Sequence, residues 1–211
     1  MGFPVYGYRS DVRNVLVTPQ IRSRFLRMEP GEESGAHSHD LGHEVFLVLQ
    51  GRAEFTIDGE TEELGPGEMC VALVDQLHSL RVVGDEPMTM YLSVTPHIQP
   101  THTMWDEQGR ELPYRFTPSS SYGVETDTDT PVPDLLERLA DATRSVATAA
   151  HDAAAIQAEQ SDTVARALSR GDEDAAADAR GAMWDALMPV FQRSAELASL
   201  WNDVAPRAGK T

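Results

Sequence analysis

The sequence predicts a mainly β domain, built as a sandwich or barrel of short strands, followed by a pair of α-helices. Up to about residue 120 the chain is rich in Val, Phe, Tyr, Gly and Pro, and its short apolar runs are separated by turn residues. Beyond Pro133 alanine dominates, with acidic residues and arginine interspersed, which is a helical composition. We therefore expect a β domain over residues 1–120, an acidic linker over 121–132 and a two-helix extension over 133–205.

Six segments of the first part have the length and composition of strands. Each is a run of aliphatic, β-branched or aromatic residues bounded by Gly, Pro or Asp. The segments are residues 22–28, 44–49, 53–57, 69–74, 79–83 and 88–94. Asp58 and Gly59 follow the third segment, and this pair is a strong signal for a tight two-residue hairpin turn.

The second part has the pattern of two packed helices. Small or apolar residues recur at alternating intervals of four and three, at positions 135, 139, 142, 146, 149, 153 and 156, which is a heptad seam. Asp134 and Glu137 have the spacing of a capping box at its start, and Gly171 is expected to end the first helix. Pro189 is expected to kink or break the second helix. The alanine-rich seam can pack within the hairpin or against a second subunit.

Composition excludes several classes of partner. The formal net charge of −17 opposes binding to nucleic acid or to anionic membrane surfaces. The single cysteine, Cys70, rules out an internal disulfide, and its apolar neighbours indicate a small buried side chain rather than a nucleophile. Residues 1–10 lack the apolar segment of a signal peptide and no 18-residue apolar run exists, so we expect a cytoplasmic location.

Four side chains have the spacing of a metal site. His37 and His39 are two residues apart, so on a strand they point to the same face. Glu44 opens the next predicted strand, and His78 begins a later one from which its ring could reach the same point. We expect one divalent metal ion, with iron, manganese or nickel preferred. Zinc is possible, although four protein ligands would fill its tetrahedral shell.

The same stretch resembles the first motif of the cupin superfamily. That motif is a glycine, five residues, His-x-His, three or four residues, a glutamate, six residues and a glycine. Gly31, His37, His39, Glu44 and Gly51 satisfy every term. The resemblance covers roughly residues 12–116, and it implies a jelly-roll barrel of six to eight strands with the metal inside.

The second cupin motif is matched in part. Gly67 and His78 have its spacing, whereas Leu73, Asp75 and Val82 stand where proline, glycine and asparagine are usual. The position of the fourth ligand, His78, is therefore kept.

The resemblance implies a metal-dependent enzyme that acts on a small organic substrate, with a dioxygenase as the leading hypothesis and Glu44 as the candidate catalytic residue. An isomerase, a lyase or a decarboxylase is an alternative on the same fold. A non-catalytic sensor or storage barrel, a barrel that binds no metal, and an interaction module formed by the helices are further alternatives. The acidic extension has no basic recognition helix, which disfavours a transcription factor. Cupins commonly pair through barrel edge strands, so we expect a homodimer.

The sequence also predicts which side chains line the barrel interior and which could bind a substrate. An apolar interior is expected, lined by Phe46, Val48, Phe55, Ile57, Leu80, Val82, Met90 and Leu92. Such a lining favours an aromatic or aliphatic substrate. The candidates for binding a substrate carboxylate are Arg22, Arg24, Arg52 and Arg81.

The remaining histidines and the late aromatic residues are expected to lie outside the metal site. His43 neighbours Glu44 and should face the opposite way. His97 and His102 are expected in an exposed loop, and the alternative is that their proline-punctuated segment folds over the barrel mouth. We expect the last three aromatic side chains of this part to pack against the barrel; they are Trp105, Tyr114 and Phe116.

Overall fold

The computed structural model of the chain describes residues 2–106 and 108–209 and divides it into two units. The first unit consists of the residues up to Thr126 together with those from Ala205 onward, and the second consists of Asp127–Val204. The first unit contains two antiparallel sheets and the second contains two helices. The predicted fold class, a jelly-roll β-barrel followed by a helical hairpin, is confirmed.

Ten strands form the two sheets of the described part of the first unit. They are β1 (Asn14–Thr18), β2 (Ile21–Met28), β3 (His37–Ser38), β4 (His43–Gln50), β5 (Arg52–Ile57), β6 (Glu60–Leu64), β7 (Met69–Ala72), β8 (His78–Val83), β9 (Met88–Thr95) and β10 (Thr103–Met104). One sheet has the order β1-β2-β9-β4-β7 and the other has the order β10-β3-β8-β5-β6. The count exceeds the expected six to eight because β3 and β10 have only two residues each, too few for a propensity signal.

The barrel core follows from the period-two alternation of the strands. In β4 the side chains of Glu44, Phe46 and Val48 are buried, while the residues between them are more exposed. The buried cluster of the two sheets contains Met28, Phe46, Val48, Ala53, Phe55, Leu64, Ala72, Leu80, Val82, Met88, Met90 and Leu92. One end of the β4 row is therefore a carboxylate, and the remainder is apolar.

Two turns depend on left-handed backbone. Asp58 and Gly59 have φ angles of 50° and 84° and connect β5 to β6 with Ile57 paired to Glu60, which confirms the predicted hairpin. Gly51 joins β4 to β5 with φ of 70°. A Cβ atom at position 51 would lie 2.5 Å from the carbonyl oxygen of Pro87 and 2.7 Å from Cα of Met88. Gly51 is therefore required by both its conformation and the close approach of neighbouring backbone.

The second unit is an antiparallel pair of long helices, α1 (Val132–Ser169) and α2 (Glu173–Val204). Every position of the predicted seam in α1 is buried or partly buried. Gln157 and Arg193 also bridge the helices, because their side chains donate to the carbonyl oxygens of Met183 and Ser145 at 2.8 and 3.0 Å. None of the described helices is both long and apolar enough to cross a membrane.

The structure contradicts the predicted capping box and the predicted break at Pro189. The capping box at Asp134 does not form, because α1 already begins at Val132, after Pro131, and has no side-chain cap. Proline fits the first turn of a helix, where its missing N–H has no intrahelical partner. Pro189 does not break α2, which continues from Glu173 to Val204. Packing against α1 stabilises α2 against the hydrogen bond lost at the proline.

Gly51→Ala is expected to destabilise the barrel more than Gly59→Ala does. Both substitutions place a side chain at positive φ, which costs about 1–2 kcal/mol. Only position 51 adds a clash with backbone, whereas a Cβ at position 59 meets nothing within 4 Å. The clash should add about 1–3 kcal/mol. Urea denaturation of both variants measures the difference, and equal midpoints would show that the Pro87 segment yields without cost.

Candidate metal centre

The structure brings His37, His39, Glu44 and His78 together in one cluster. One ligand atom from each residue lies within 4.8 Å of the other three. Oε2 of Glu44 is 2.8 Å from Nε2 of His39, 2.9 Å from Nε2 of His78 and 3.6 Å from Nε2 of His37. All three imidazoles therefore present the same ring nitrogen to one carboxylate oxygen, and the cluster could hold a metal ion.

The cluster joins the two sheets. His37 on β3 is the cross-strand partner of His78 on β8, so their side chains leave the second sheet side by side. Glu44 stands at the start of β4 in the first sheet, where it pairs with Val94 of β9. His39 follows β3, and its carbonyl oxygen accepts a hydrogen bond from the backbone N–H of Asp75 at 3.0 Å. Donors that are distant in sequence meet because the sheets face each other at this end of the barrel.

Backbone carbonyl groups fix the orientation of each ring. Nδ1 of His37 donates to the carbonyl oxygen of Gly35 at 2.8 Å, and Nδ1 of His78 donates to that of Gln76 at 2.8 Å. Nδ1 of His39 donates to the carbonyl oxygen of Thr101. A carbonyl oxygen can only accept, so the Nδ1 atoms carry the protons. If a metal ion replaced the Nε2 protons that face Glu44, each neutral ring would present its Nε2 lone pair to the centre, which is the tautomer that a metal ligand requires.

The charges of the cluster fit a cation. Burial raises the pKa of Glu44, but the hydrogen bonds from the three histidines outweigh it and hold this pKa well below its usual range. Burial lowers the pKa of His37, while the bonds to Glu44 and Gly35 raise it more, so the net shift is upward. Both directions show that the carboxylate favours positive charge at its centre. Three Nε2 lone pairs and one carboxylate are the donor set that suits a first-row divalent ion.

Among the other histidines, one prediction agrees with the structure and two were wrong. His43 is exposed and accepts a hydrogen bond from the backbone N–H of Val74 at 3.1 Å, away from the cluster. His97 is buried, with 3% of its surface exposed, and its ring lies 4.9 Å from that of Tyr122. Burial and the charge of Arg22 lower the pKa of His97 to about 4.

His102 adjoins the cluster instead of lying in an exposed loop. Its ring centroid is 4.9 Å from those of both His37 and His39. Burial and the neighbouring histidines lower its pKa to about 3, so the ring is neutral near pH 7. The sequence prediction failed because the segment after β9 returns to the sheet as β10, which pairs with β3. The β-branched residues Thr101 and Thr103 on either side of His102 are the sequence signal that could have indicated a strand here.

Of the three aromatic residues Trp105, Tyr114 and Phe116, two are partly buried and one is exposed. Trp105 is partly buried, and its Nε1 donates to the hydroxyl of Ser38 at 3.2 Å, so it packs against the barrel as expected. Tyr114 is exposed, which contradicts the prediction. Phe116 is partly buried and lines a surface cavity of about 440 Å³ together with His102.

An inner cavity of about 150 Å³ borders the cluster. Three of the four donor residues line it, together with His102, two arginines and several apolar side chains. The lining residues are Arg22, Arg24, Leu26, Met28, Ser34, His37, Glu44, Phe46, His78, Ser79, Leu80, Met90, Leu92 and His102. Of the eight side chains predicted to line the interior, this cavity uses four, and Val48, Phe55 and Val82 belong to the closed core. Ile57 is partly buried against that core.

The four candidate arginines separate into two pairs. Arg22 and Arg24 point into the barrel and line the inner cavity. Arg52 and Arg81 lie outside and form ion pairs with Glu63 and Glu54. The spacing of Arg22 and Arg24 with Leu26 and Met28 along one strand face is the sequence signal that could have placed the first pair inside.

Comparison with known proteins identifies this part of the chain. The sequence model of the cupin domain matches residues 24–95, which include all four donors. Residues 24–95 are a cupin domain. The motif position where cupins usually have glycine is occupied by Asp75, which adopts the left-handed conformation with φ of 63°. The departure in residue type therefore keeps the backbone geometry that glycine normally provides.

Relatives cover only parts of the chain. Polyketide synthase CurC from Streptomyces cyaneus is 35% identical over 91 residues, which are 41% of this chain and 59% of that protein. The chain thus spans about three fifths of the curated relative. A double-stranded β-helix protein from Klebsiella pneumoniae is 22% identical with a TM-score of 0.46, over 50% of this chain and all of that one. KdgF from Halomonas sp. is 23% identical with a TM-score of 0.38, over 42% and 79%.

Cys70 is not arranged as a nucleophile. It is partly buried on β7 and packs against the barrel core, as the apolar run predicted. Burial, with the charge of Glu44, raises the pKa of its thiol to about 11. Such a thiol is almost entirely protonated near pH 7 and is therefore unreactive.

Substitution of a donor in the cupin domain should reduce metal binding. We expect the native chain to retain about one divalent ion after dialysis, and Glu44→Gln or His39→Ala to lower the metal affinity by at least about tenfold. His43→Ala is the matched control, since it removes an adjacent imidazole that faces away from the cluster. Elemental analysis of each variant, with its melting temperature, provides the measurement. Equal metal content in Glu44→Gln and the native chain would contradict the site.

Proposed function

We propose that the cupin domain is the catalytic part of a metal-dependent enzyme that acts on a small organic substrate, with oxidation of the dioxygenase type as its reaction. The observation that supports this is the donor cluster beside the inner cavity. A cluster used only for structure would need no adjacent space, whereas this one borders a volume of about 150 Å³. A cavity of that size accepts a single aromatic ring or a short aliphatic chain.

His37, His39, Glu44 and His78 would hold the ion in this proposal. Four protein donors leave two positions of a six-coordinate ion open, which favours iron, manganese or nickel over tetrahedral zinc. When bound, the ion would supply a Lewis acid with adjacent open positions for substrate and dioxygen. The three Nδ1 bonds to carbonyl oxygens hold the rings in place, and Glu44 provides the one negative charge among the donors. Glu44 is the proposed catalytic residue because it would contact the ion directly.

The neighbouring residues support a hydrocarbon substrate. The buried side chains Phe46, Leu80 and Leu92 give the cavity an apolar wall. His102 is a neutral imidazole at the same cavity, so it adds no charge there near pH 7. The curated relative is named a polyketide synthase, which is consistent with a polyketide-derived substrate in this proposal.

Loading the protein with iron(II) under anaerobic conditions and then admitting oxygen tests the reaction. We expect oxygen uptake that depends on a small aromatic or aliphatic substrate, and a loss of at least about 100-fold in Glu44→Gln and His78→Ala, because both remove donors of the cluster. Arg81→Gln is the control, because its ion pair lies on the outer surface. Substrate consumption without oxygen uptake would indicate isomerase, lyase or decarboxylase chemistry instead. Binding without any turnover would indicate a non-catalytic barrel.

We also propose that the chain forms a homodimer through β7. This strand is the edge of its sheet, and the apolar side chains of Met69 and Val71 on it are exposed, as is that of Leu73 after it. An apolar edge strand is a template for pairing with another copy.

Charged substitutions on this edge should separate the dimer. Met69→Lys with Val71→Lys is expected to convert a species of twice the chain mass into a monomer, because lysine opposes both burial and edge pairing. Leu41→Lys is the control, since Leu41 is an exposed apolar residue outside the strands. Sedimentation equilibrium at micromolar concentration measures the mass. A native monomer would rule out the dimer.

A further inference from the structure

Arg22 and Arg24 are placed beside the donor cluster by the register of three strands. Arg22 on β2 pairs with Val94 on β9, and Val94 pairs with Glu44 on β4, so these three residues form one cross-strand row. Arg24 begins the next row, through Leu92 to Phe46. Residues two apart on a strand share a face. Both arginines therefore point to the side of the sheet that carries Glu44, and both line its cavity.

Neither guanidinium group forms an ion pair with an acidic side chain in the described part of the chain. Arg22 is 95% buried, with 5% of its surface exposed, and the Nε atoms of both residues are buried without a hydrogen bond. Over residues 2–106 and 108–209, neither side chain has an ion-pair partner. Arg22 does lie over the ring of Tyr122, with Cζ 5.2 Å from the centroid, which orients the group but supplies no full negative charge.

The cavity therefore carries an excess of positive charge. Its lining residues include two guanidinium groups and one carboxylate, Glu44. A divalent ion on the cluster would increase the excess further. A buried charge without an ion-pair partner is energetically unfavourable. An anion that enters this space would therefore supply the negative charge that the protein lacks there. Exposed arginines of the same barrel contrast with this pair, since Arg27 is matched by Glu29 at 3.1 Å.

The rest of the cavity selects an organic anion. Beyond the two arginine rows, β2 continues on the same face with Leu26 and Met28, and Met90 on β9 is opposite Leu26. One end of the space is thus cationic and the other end is apolar. A carboxylate attached to a small hydrocarbon body matches both ends, whereas an inorganic anion matches only one.

We propose that Arg22 and Arg24 bind the carboxylate of a small organic acid and hold its hydrocarbon body in the inner cavity beside the donor cluster. This assignment rests on the proposed function, because it names the substrate class of that site. Paired guanidinium groups suit a carboxylate, since each can donate two parallel hydrogen bonds. Arg22 and Arg24 are therefore specificity-determining residues, distinct from the donors that would hold the metal.

Acid and amide pairs of the same shape test the assignment. Acetate, hexanoate and benzoate are titrated calorimetrically into the metal-loaded and the metal-free protein, each beside its neutral amide. We expect at least one acid to bind about tenfold or more tightly than its amide in both forms. Arg22→Gln and Arg24→Gln should each weaken that acid by about 10- to 100-fold and leave the amide unchanged. Arg27→Gln, on the same strand but outside the cavity, should have no effect.

Lysine variants separate a binding role from a structural one. Arg22→Lys and Arg24→Lys keep the charge, so they should retain more affinity for the acid than the glutamine variants do. Metal content and melting temperature are measured for every variant. Acids that bind no better than their amides, glutamine variants with native affinity, or inorganic phosphate that binds as tightly as the best acid would each overturn the assignment.

The outcomes distinguish this inference from the proposed enzyme. A chain that takes up metal and turns over a substrate without any preference for acids loses only the arginine assignment. A chain that binds an acid through the arginines but retains no metal loses the proposed function, while the carboxylate site stands.

Discussion

A single buried carboxylate organises the first unit. Oε2 of Glu44 is the atom toward which all three Nε2 atoms of the cluster point, and only 2% of the residue is exposed. A charged group at this depth is stable only when positive charge or hydrogen-bond donors surround it. Protons on the Nε2 atoms of His37, His39 and His78, or a metal ion held by them, would meet that requirement. The three rings, and the three backbone carbonyl groups that orient them, satisfy this one constraint.

Register is what makes the constraint achievable. His37 faces His78 across β3 and β8, and Glu44 occupies an inward position on β4. A slip of one residue would turn each of these side chains to the outer face. Gly51 stabilises this register, because it lets the chain reverse from β4 into β5 while the backbone of Pro87 passes within 2.5 Å of where a Cβ would stand. A residue outside the donor cluster thereby contributes to the position of that cluster.

The site has a second half that differs in physical character. The donor cluster balances its own negative charge, whereas Arg22 and Arg24 bring positive charge into the same cavity without an acidic partner in the described part of the chain. Beyond them the lining is apolar. The cavity thus presents a gradient from charge to hydrocarbon along β2, and such a gradient orients a ligand as well as binding it. The helical unit keeps its own packing, through the alanine seam of α1 against α2.

The sequence alone determined the fold class and the strands longer than four residues that carry apolar alternation. It also determined the Asp58-Gly59 hairpin and the four donor residues. Each of these features is encoded by local spacing and residue type. It could not determine the environments of His97 and His102, since these depend on a segment that rejoins the sheet as β10. It also could not choose Arg22 and Arg24 over Arg52 and Arg81. All four lie on strands, and only tertiary pairing decides which face is enclosed and which finds an acidic partner on the surface. Local pattern specifies elements and donor types, whereas burial and charge balance arise only when distant strands meet.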